Sequence, residues 1–290
     1  MIAGSPEGPW NHSSRLERIF KDSQTELRFV ALVDPDVSRA GARISDKCAS
    51  DEQHVRSAWQ STKVCRNIEE AASHLAASHD DKDVDLVILG CPPHFRGTLQ
   101  SGKRADLEML DHFPRAKSYL VEKPVAAVNP FRSTDCDEVA QRFASATGAT
   151  SVGYMLRYNK AILTIRDILK QNGLTPTCIN ARYFMAYEYA RKLDWWNKSR
   201  SCGPVVEQAT HFIDLIRFLA GNDNEALLDS VRATTVKHTE PAGKLSKLGF
   251  DEGVIPPEER VPRVTSAFWK HQKVRIGLDR MAFVVLLICH

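Results

Sequence analysis

The first 155 residues alternate between two textures, and that alternation restricts the fold more than any other feature of the chain. Short apolar runs occur at Leu27–Val33, Val84–Leu89 and Ser118–Val121, with a further one at Ser151–Met155. Between them lie mixed polar and apolar stretches of helical character near 12–22, 37–49, 67–79, 95–111 and 134–147. Strands that are apolar throughout are buried on both faces, and strands alternating with helices predict a parallel sheet with helices on either side. Such sheets bind ligands outside the carboxyl ends of their strands. Only Met1-Ile2-Ala3 is available for an opening strand before Gly4.

The texture changes after about residue 156, which divides the chain into 1–155 and 156–290. A helix is expected from Tyr158 to Gln171, stopped by Asn172-Gly173. Alternating segments at Cys178–Tyr187, Val231–Val236 and Val264–Trp269 predict a more open, one-sided sheet. Between the first two sits the most apolar helix of the chain, about Val205–Ala220, ended by Gly221-Asn222. The fold class expected is α/β: a parallel sheet first, then an α+β domain with an open, mainly antiparallel sheet. Residues 240–263 read as a surface excursion, and Met281–Cys289 reads either as a buried final strand or as an exposed apolar segment.

Composition narrows the function. Net charge is +3, with 26% charged and 43% hydrophobic residues, and no basic block asks for nucleic acid. The seven cysteines are scattered and form no CxxC, which suggests free thiols in a reducing compartment. No signal-peptide layout and no apolar run of membrane-spanning length occur, so a cytoplasmic protein is expected, with no membrane partner.

The candidate site residues lie where the predicted strands end. Asp34 closes the run 27–33, where a carboxylate either accepts a ribose hydroxyl or is a solvated turn acid. Cys91-Pro92-Pro93-His94 follows 84–89; two prolines stiffen the exit, and the loop suits the flat side of a nucleotide. Cys91 and His94 lack partners for a metal. Glu122-Lys123-Pro124 follows 118–121, an unusual choice where a plain turn would use Gly, Asn or Asp. The turn Gly4–Gly8 stands where a phosphate-binding glycine loop is expected, with Pro6 at its second glycine. Asn11, His12, Ser13 and Ser14 offer caps for the next helix. Within 205–220, Glu207, His211 and Asp214 fall at i, i+4 and i+7 on one helix face. A helix apolar nearly all round is buried, so the three form an internal network, a reactive pocket or a metal site. No metal is expected, because no further His or Cys sits at ligand spacing.

Three of these segments together resemble the oxidoreductase family named for glucose-fructose oxidoreductase and inositol dehydrogenase (Gfo/Idh/MocA): Glu122-Lys123-Pro124, Gly153–Asn159, and Gly203–Asp214. The resemblance covers roughly residues 25–270. It implies a Rossmann-type domain binding NAD or NADP, then a domain whose open sheet carries substrate on one face and a homo-oligomer contact on the other. It implies Lys123, His211 and Glu207 as catalytic, Lys123 bonding the substrate oxygen, His211 moving its proton and Glu207 orienting His211. Gly4, Gly8, Asp34, Cys91, Pro92, His94, Glu122 and Lys123 are implied beside the cofactor. Arg157, Tyr158, Trp195 and Asp214 are implied around a sugar, polyol or related small-molecule substrate, with Trp196 beside them; Asp214 alternatively supports its helix. The departures are the glycine loop, Cys202 in place of a glycine, a shortened second domain and an unfamiliar stretch after His271. They leave a non-catalytic nucleotide-binding regulator as the alternative. Asp34 favours NAD, and nearby Arg39 weakens that preference.

Overall fold

The computed structural model describes residues 2–3, 11–77, 84–125, 134–184, 196–201, 203–221, 225–240, 252–272 and 283–289; for 2–3, 201, 204, 252 and 283–289 it describes the backbone alone. Gly4, Gly8, Trp195 and Cys202 lie outside the described residues. The chain divides into two compact units, Met1–Gly153 and Tyr154–His290.

The first unit is built on β1 (Ile2–Ala3), β2 (Ala31–Val33), β3 (Lys63–Cys65), β4 (Leu86–Leu89), β5 (Ser118–Val121) and β6 (Ala149–Val152). They form a six-stranded sheet in the order β3-β2-β1-β4-β5-β6, every pair parallel. This is the doubly wound order with a switch point beside the first strand. The two-residue β1 is enough to occupy the centre: Ile2 pairs with Leu32 and Ile88, Ala3 with Val33 and Leu89.

Both sheet faces are buried, which is why the strands read as unbroken apolar runs. Ala31, Val33, Val87, Leu89, Tyr119 and Val121 point into one core. Leu32 and Ile88 point into the other, with Phe29 and Trp59. The helices between the strands are α1 (His12–Ser23), α2 (Val37–Cys48), α3 (Gln53–Trp59), α4 (Ile68–Ala77), α5 (Ala105–His112) and α6 (Asp135–Ala144). Side-chain caps start three of them: Asn11 Oδ1 accepts the Ser14 N–H at 3.1 Å, Asp36 Oδ1 the Arg39 N–H at 2.9 Å, and Asn67 Oδ1 the Glu70 N–H at 2.8 Å.

Two differences from the sequence expectation matter. The pair α3–β3 was not anticipated, because each piece is short and β3 is exposed at its start. The helix expected over 95–111 exists only from Ala105. Before it, Pro93–Phe95 makes a 3-10 turn, and Gly97 and Gly102 take positive φ of 77° and 74°.

The second unit contains α7 (Lys160–Gln171), β7 (Cys178–Phe184), α8 (Lys198–Ser201), α9 (Gly203–Glu207), α10 (Ala209–Ala220), β8 (Ala226–Val236), β9 (Val264–His271) and β10 (Phe283–Cys289). Helix α7 ends at Asn172-Gly173 as expected, with Gly173 at φ 62°. The sheet order is β7-β10-β9-β8, antiparallel except for the parallel β7–β10 pair. Phe283–Cys289, within the apolar run expected at the end of the chain, therefore supplies an interior strand. Along β7 half-buried and exposed residues alternate, and Ile179, Ala181 and Tyr183 pack toward Ala209, Ile216 and Trp269. Among the described residues no helix is long and apolar enough to cross a membrane.

The helix expected over 205–220 is broken. Gln208, at φ −109° and ψ −45°, stays in the right-handed helical region but forms a turn that separates α9 from α10. Gly203, which opens α9 at φ 80°, lies so close to Val261 that a Cβ would sit 2.4 Å from its Cγ1. Nor is α10 buried all round: Asp214 and Ile216 are buried, and Ile213 and Arg217 are exposed.

Candidate active site

In the first unit the candidate residues gather where the parallel strands end. Asp34 leaves β2 with its side chain only 2% exposed. Both its oxygens are engaged: Arg39 Nη2 donates to them at 3.2 and 3.1 Å, and the Asp36 N–H donates to Oδ1 at 2.9 Å. The half-exposed Arg39 guanidinium is thus the outward part of this corner.

Strand β4 leads to Cys91, Pro92, Pro93 and His94. Burial pushes the Cys91 thiol up to about 11 against the opposing pull of Arg96, so it stays protonated near neutrality. The His94 ring lies 4.2 Å from that of Phe95. Arg96, 1% exposed, turns back under this loop. Its Nε donates to the Cys91 carbonyl at 3.0 Å, Nη2 to Lys123 O at 3.3 Å, and Nη1 to Pro124 O and, at 3.3 Å, to Val125 O.

Strand β5 leads to Glu122, Lys123 and Pro124, joined by a cis Lys123–Pro124 bond. Glu122 Oε1 meets His12 Nε2 at 2.6 Å, and Oε2 accepts the Lys123 N–H at 3.0 Å. Burial raises the Glu122 pKa, but the His12 hydrogen bond and charge, the Lys123 amide and the Lys123 charge together bring it below the ordinary value. Gly153, at the exit of β6, gives this carboxylate room: a Cβ there would lie 3.0 Å from Oε1.

The second unit holds the remaining candidates. Glu207 closes α9, and His211 stands in the first turn of α10 with its N–H donating to Gln208 O at 3.2 Å. The interruption at Gln208 thus falls between the two residues expected at i and i+4. The His211 ring meets Tyr154 edge-on at 6.3 Å, and Tyr154 Oη lies 3.2 Å from Thr210 Oγ1. Arg157 and buried Asp214 form a two-pronged ion pair, Nε–Oδ2 2.7 Å and Nη2–Oδ1 2.6 Å. Tyr158 is 71% exposed, whereas Trp196 is buried at 2%. Among the described residues no group of His, Cys, Asp and Glu could hold a metal ion.

Three contributors were invisible as such in the sequence. Arg96 read as one more polar residue of a helix, His12 as a cap, and Tyr154 as a motif position without a partner. A histidine in the first helical turn, where acids are favoured, was a signal that it answers a carboxylate. For Arg96 no sequence signal exists beyond its place next to the stiff Pro92-Pro93.

The comparisons agree with this architecture. Residues 157–287 match the family model described as "Putative oxidoreductase C terminal domain". Two uncharacterised Schizosaccharomyces pombe proteins are 36% and 38% identical over 95% and 94% of the chain, which spans 68% and 64% of their lengths. A super-repressor mutant of Gal80p from Saccharomyces cerevisiae shares the fold at TM-score 0.67 and 12% identity, over 100% of this chain and 67% of that one. The WlbA dehydrogenase of Thermus thermophilus, solved with NAD and alpha-ketoglutarate, does so at TM-score 0.57 and 17% identity, over 99% and 72%. With the lysine, the helix pair and both sheets accounted for, the chain belongs to the Gfo/Idh/MocA family of oxidoreductases.

Proposed function

We propose that the protein is a nicotinamide-dependent oxidoreductase acting on a sugar, polyol or related hydroxy compound. The observation that carries this reading is the Glu122-Lys123 corner, where a half-buried carboxylate is gripped by His12 and by the Lys123 amide at the carboxyl edge of a parallel sheet. The donor set at that edge suits a dinucleotide. It offers the amino end of α1, the Asp34–Arg39 pair for an adenosine ribose, the stiff Pro92-Pro93 exit and the bare Cα of Gly153 beside Glu122.

The nicotinamide of bound NAD or NADP supplies the hydride acceptor or donor. Lys123 donates a hydrogen bond to the reacting oxygen of substrate and stabilises the negative charge that develops there. His211 takes the hydroxyl proton in the oxidative direction, with Tyr154 meeting its ring edge-on and Glu207 orienting it from the end of α9. Arg157 and Asp214 serve as a clamp between the 155–158 turn and α10, since each meets the other's charge.

The test is a titration with NADH and NADPH followed by nicotinamide fluorescence, then turnover across a polyol and sugar panel. Lys123→Met and His211→Ala are each expected to lower kcat by about 10²-fold or more. Folded protein that reduces no nicotinamide on any substrate would sink the reading.

A second reading, a non-catalytic regulator of the same fold, is favoured by one observation. The TM-scores with two Gal80p super-repressor mutants, 0.67 and 0.69, exceed the 0.57 with the WlbA dehydrogenase. Turnover that disappears in His211→Ala would dismiss it.

A further inference from the structure

We propose that Arg96 is the positioning residue for Lys123: its buried guanidinium ties the exit loop of β4 to the backbone of Lys123, Pro124 and Val125, and so fixes where the lysine side chain starts. This deepens the oxidoreductase reading and rests on it.

The sheet stops holding the chain just before the lysine. The β4–β5 ladder ends at Leu89–Val121, and one further bond, Glu122 N–H to Leu89 O at 2.9 Å, continues it. Beyond that point side chains take over. The Lys123 N–H is held by Glu122 Oε2 at 3.0 Å, and the Lys123 carbonyl by Arg96 Nη2 at 3.3 Å. The same guanidinium reaches the carbonyls of Pro124 and Val125 on this loop and of Cys91 on the other. Only arginine has the geometry: five N–H donors in a rigid plane, against the single nitrogen of lysine.

A charge this deep is costly unless compensated. Carbonyl dipoles supply part of the compensation. Fully buried Asp106 accepts the Gly97 N–H at 2.8 Å, one residue beyond the arginine; burial pushes its pKa up, and the neighbouring amides and then the Arg96 charge oppose that rise. The fork of the guanidinium reaches the lysine loop. It joins two segments that the proposed reaction needs in register, the nucleotide-side loop at 91–94 and the lysine.

The test compares wild type with Arg96→Met, which keeps the stem and removes the donors, and Arg96→Lys, which keeps charge and one donor nitrogen. Hydrogen exchange is read at the amides of Lys123 and Val125, with Ala31–Val33 of β2 as the internal control. Exchange at Lys123 and Val125 is expected to rise at least about 10-fold with β2 unchanged. In turnover, kcat is expected to fall about 100-fold while the dinucleotide Kd stays within about 3-fold, as for a misplaced catalytic group. Arg96→Lys is expected to fall with Arg96→Met, and added guanidinium to restore part of the kcat of Arg96→Ala. Unchanged exchange at Lys123, an equal rise in β2, or a kcat that survives all three variants would each overturn the proposal. If wild-type protein turns over nothing, the oxidoreductase reading fails by itself, and the exchange comparison still decides whether Arg96 holds Lys123. Should Arg96→Met not fold, Arg96→Lys and the guanidinium titration of Arg96→Ala carry the same decision.

Discussion

Replacing Asp214 by asparagine separates a structural clamp from a substrate contact. Asp214 is 6% exposed in its side chain and receives two guanidinium hydrogen bonds, at 2.7 and 2.6 Å. The pair joins the Met155–Tyr158 turn to α10, and Arg157 also lies 5.0 Å from the centre of the Phe218 ring. Removing one partner of a buried pair typically costs about 3–5 kcal/mol. Arg157 is 32% exposed and regains water when released, so a cost below that range, about 2–3 kcal/mol, is the expectation for Asp214→Asn. For a unit of this size that lowers Tm by roughly 6–10 °C. The assay is thermal unfolding by circular dichroism for wild type, Asp214→Asn, Arg157→Met and the double variant. A coupling of at least about 1 kcal/mol is expected in the cycle. A Tm within about 1 °C of wild type, together with a raised KM for substrate, would refute the clamp. Asp214 would then be a substrate-hydroxyl ligand.

Gly203→Ala is expected to destabilise the second unit by about 2 kcal/mol or more, from a left-handed backbone and the clash with Val261; Val261→Ala should return part of the lost Tm. Glu122 has a lowered folded pKa, so its stabilisation is complete above its ordinary value of 4.5 and disappears as pH falls through the folded value. Glu122→Gln should flatten the acid limb of a stability-versus-pH curve below that value, and an unchanged slope would reject the His12 contact as its cause. Trp59→Phe removes the Nε1–H donated to buried Glu17 at 2.7 Å. It should cost about 1–3 kcal/mol in denaturant unfolding; Lys47, also bonded to Glu17, sets the lower figure.

What the sequence showed and what it hid follow from the range of the interactions involved. The strand at 118–121 could be placed to the residue, because burial on both sheet faces makes Tyr119, Leu120 and Val121 a continuous apolar run. The stop after α7 was equally plain, since Asn172-Gly173 acts locally. The interruption at Gln208 was not, because residues 205–220 contain no Gly or Pro to mark it. The false start of α5 comes from contacts distant in the chain. Polar and apolar residues over 95–104 mimic a helix, whereas Arg96, Gly97 and Asp106 are committed to a loop that closes on the far end of β5.

The candidate site divides along the same line. Residue types at strand ends, Asp34, Glu122 and Lys123, could be named from sequence because strand ends are where chemistry can be exposed. Their partners could not. Arg39, His12 and Arg96 come from separate segments, and each changes what its partner can do. Asp34 has both oxygens engaged by Arg39, Glu122 is hydrogen-bonded by an imidazole, and Lys123 starts from a backbone held on both sides. A motif scored by identity counts Glu122, Lys123 and Pro124 and gives no weight to Arg96. Yet the lysine is the residue whose neighbour is easiest to lose, because its carbonyl is held by one side chain reaching across from the preceding strand's exit. Family members that keep the three-residue motif but lack a donor of this reach should hold their lysine loosely, and amide exchange at that lysine is where the difference would appear first.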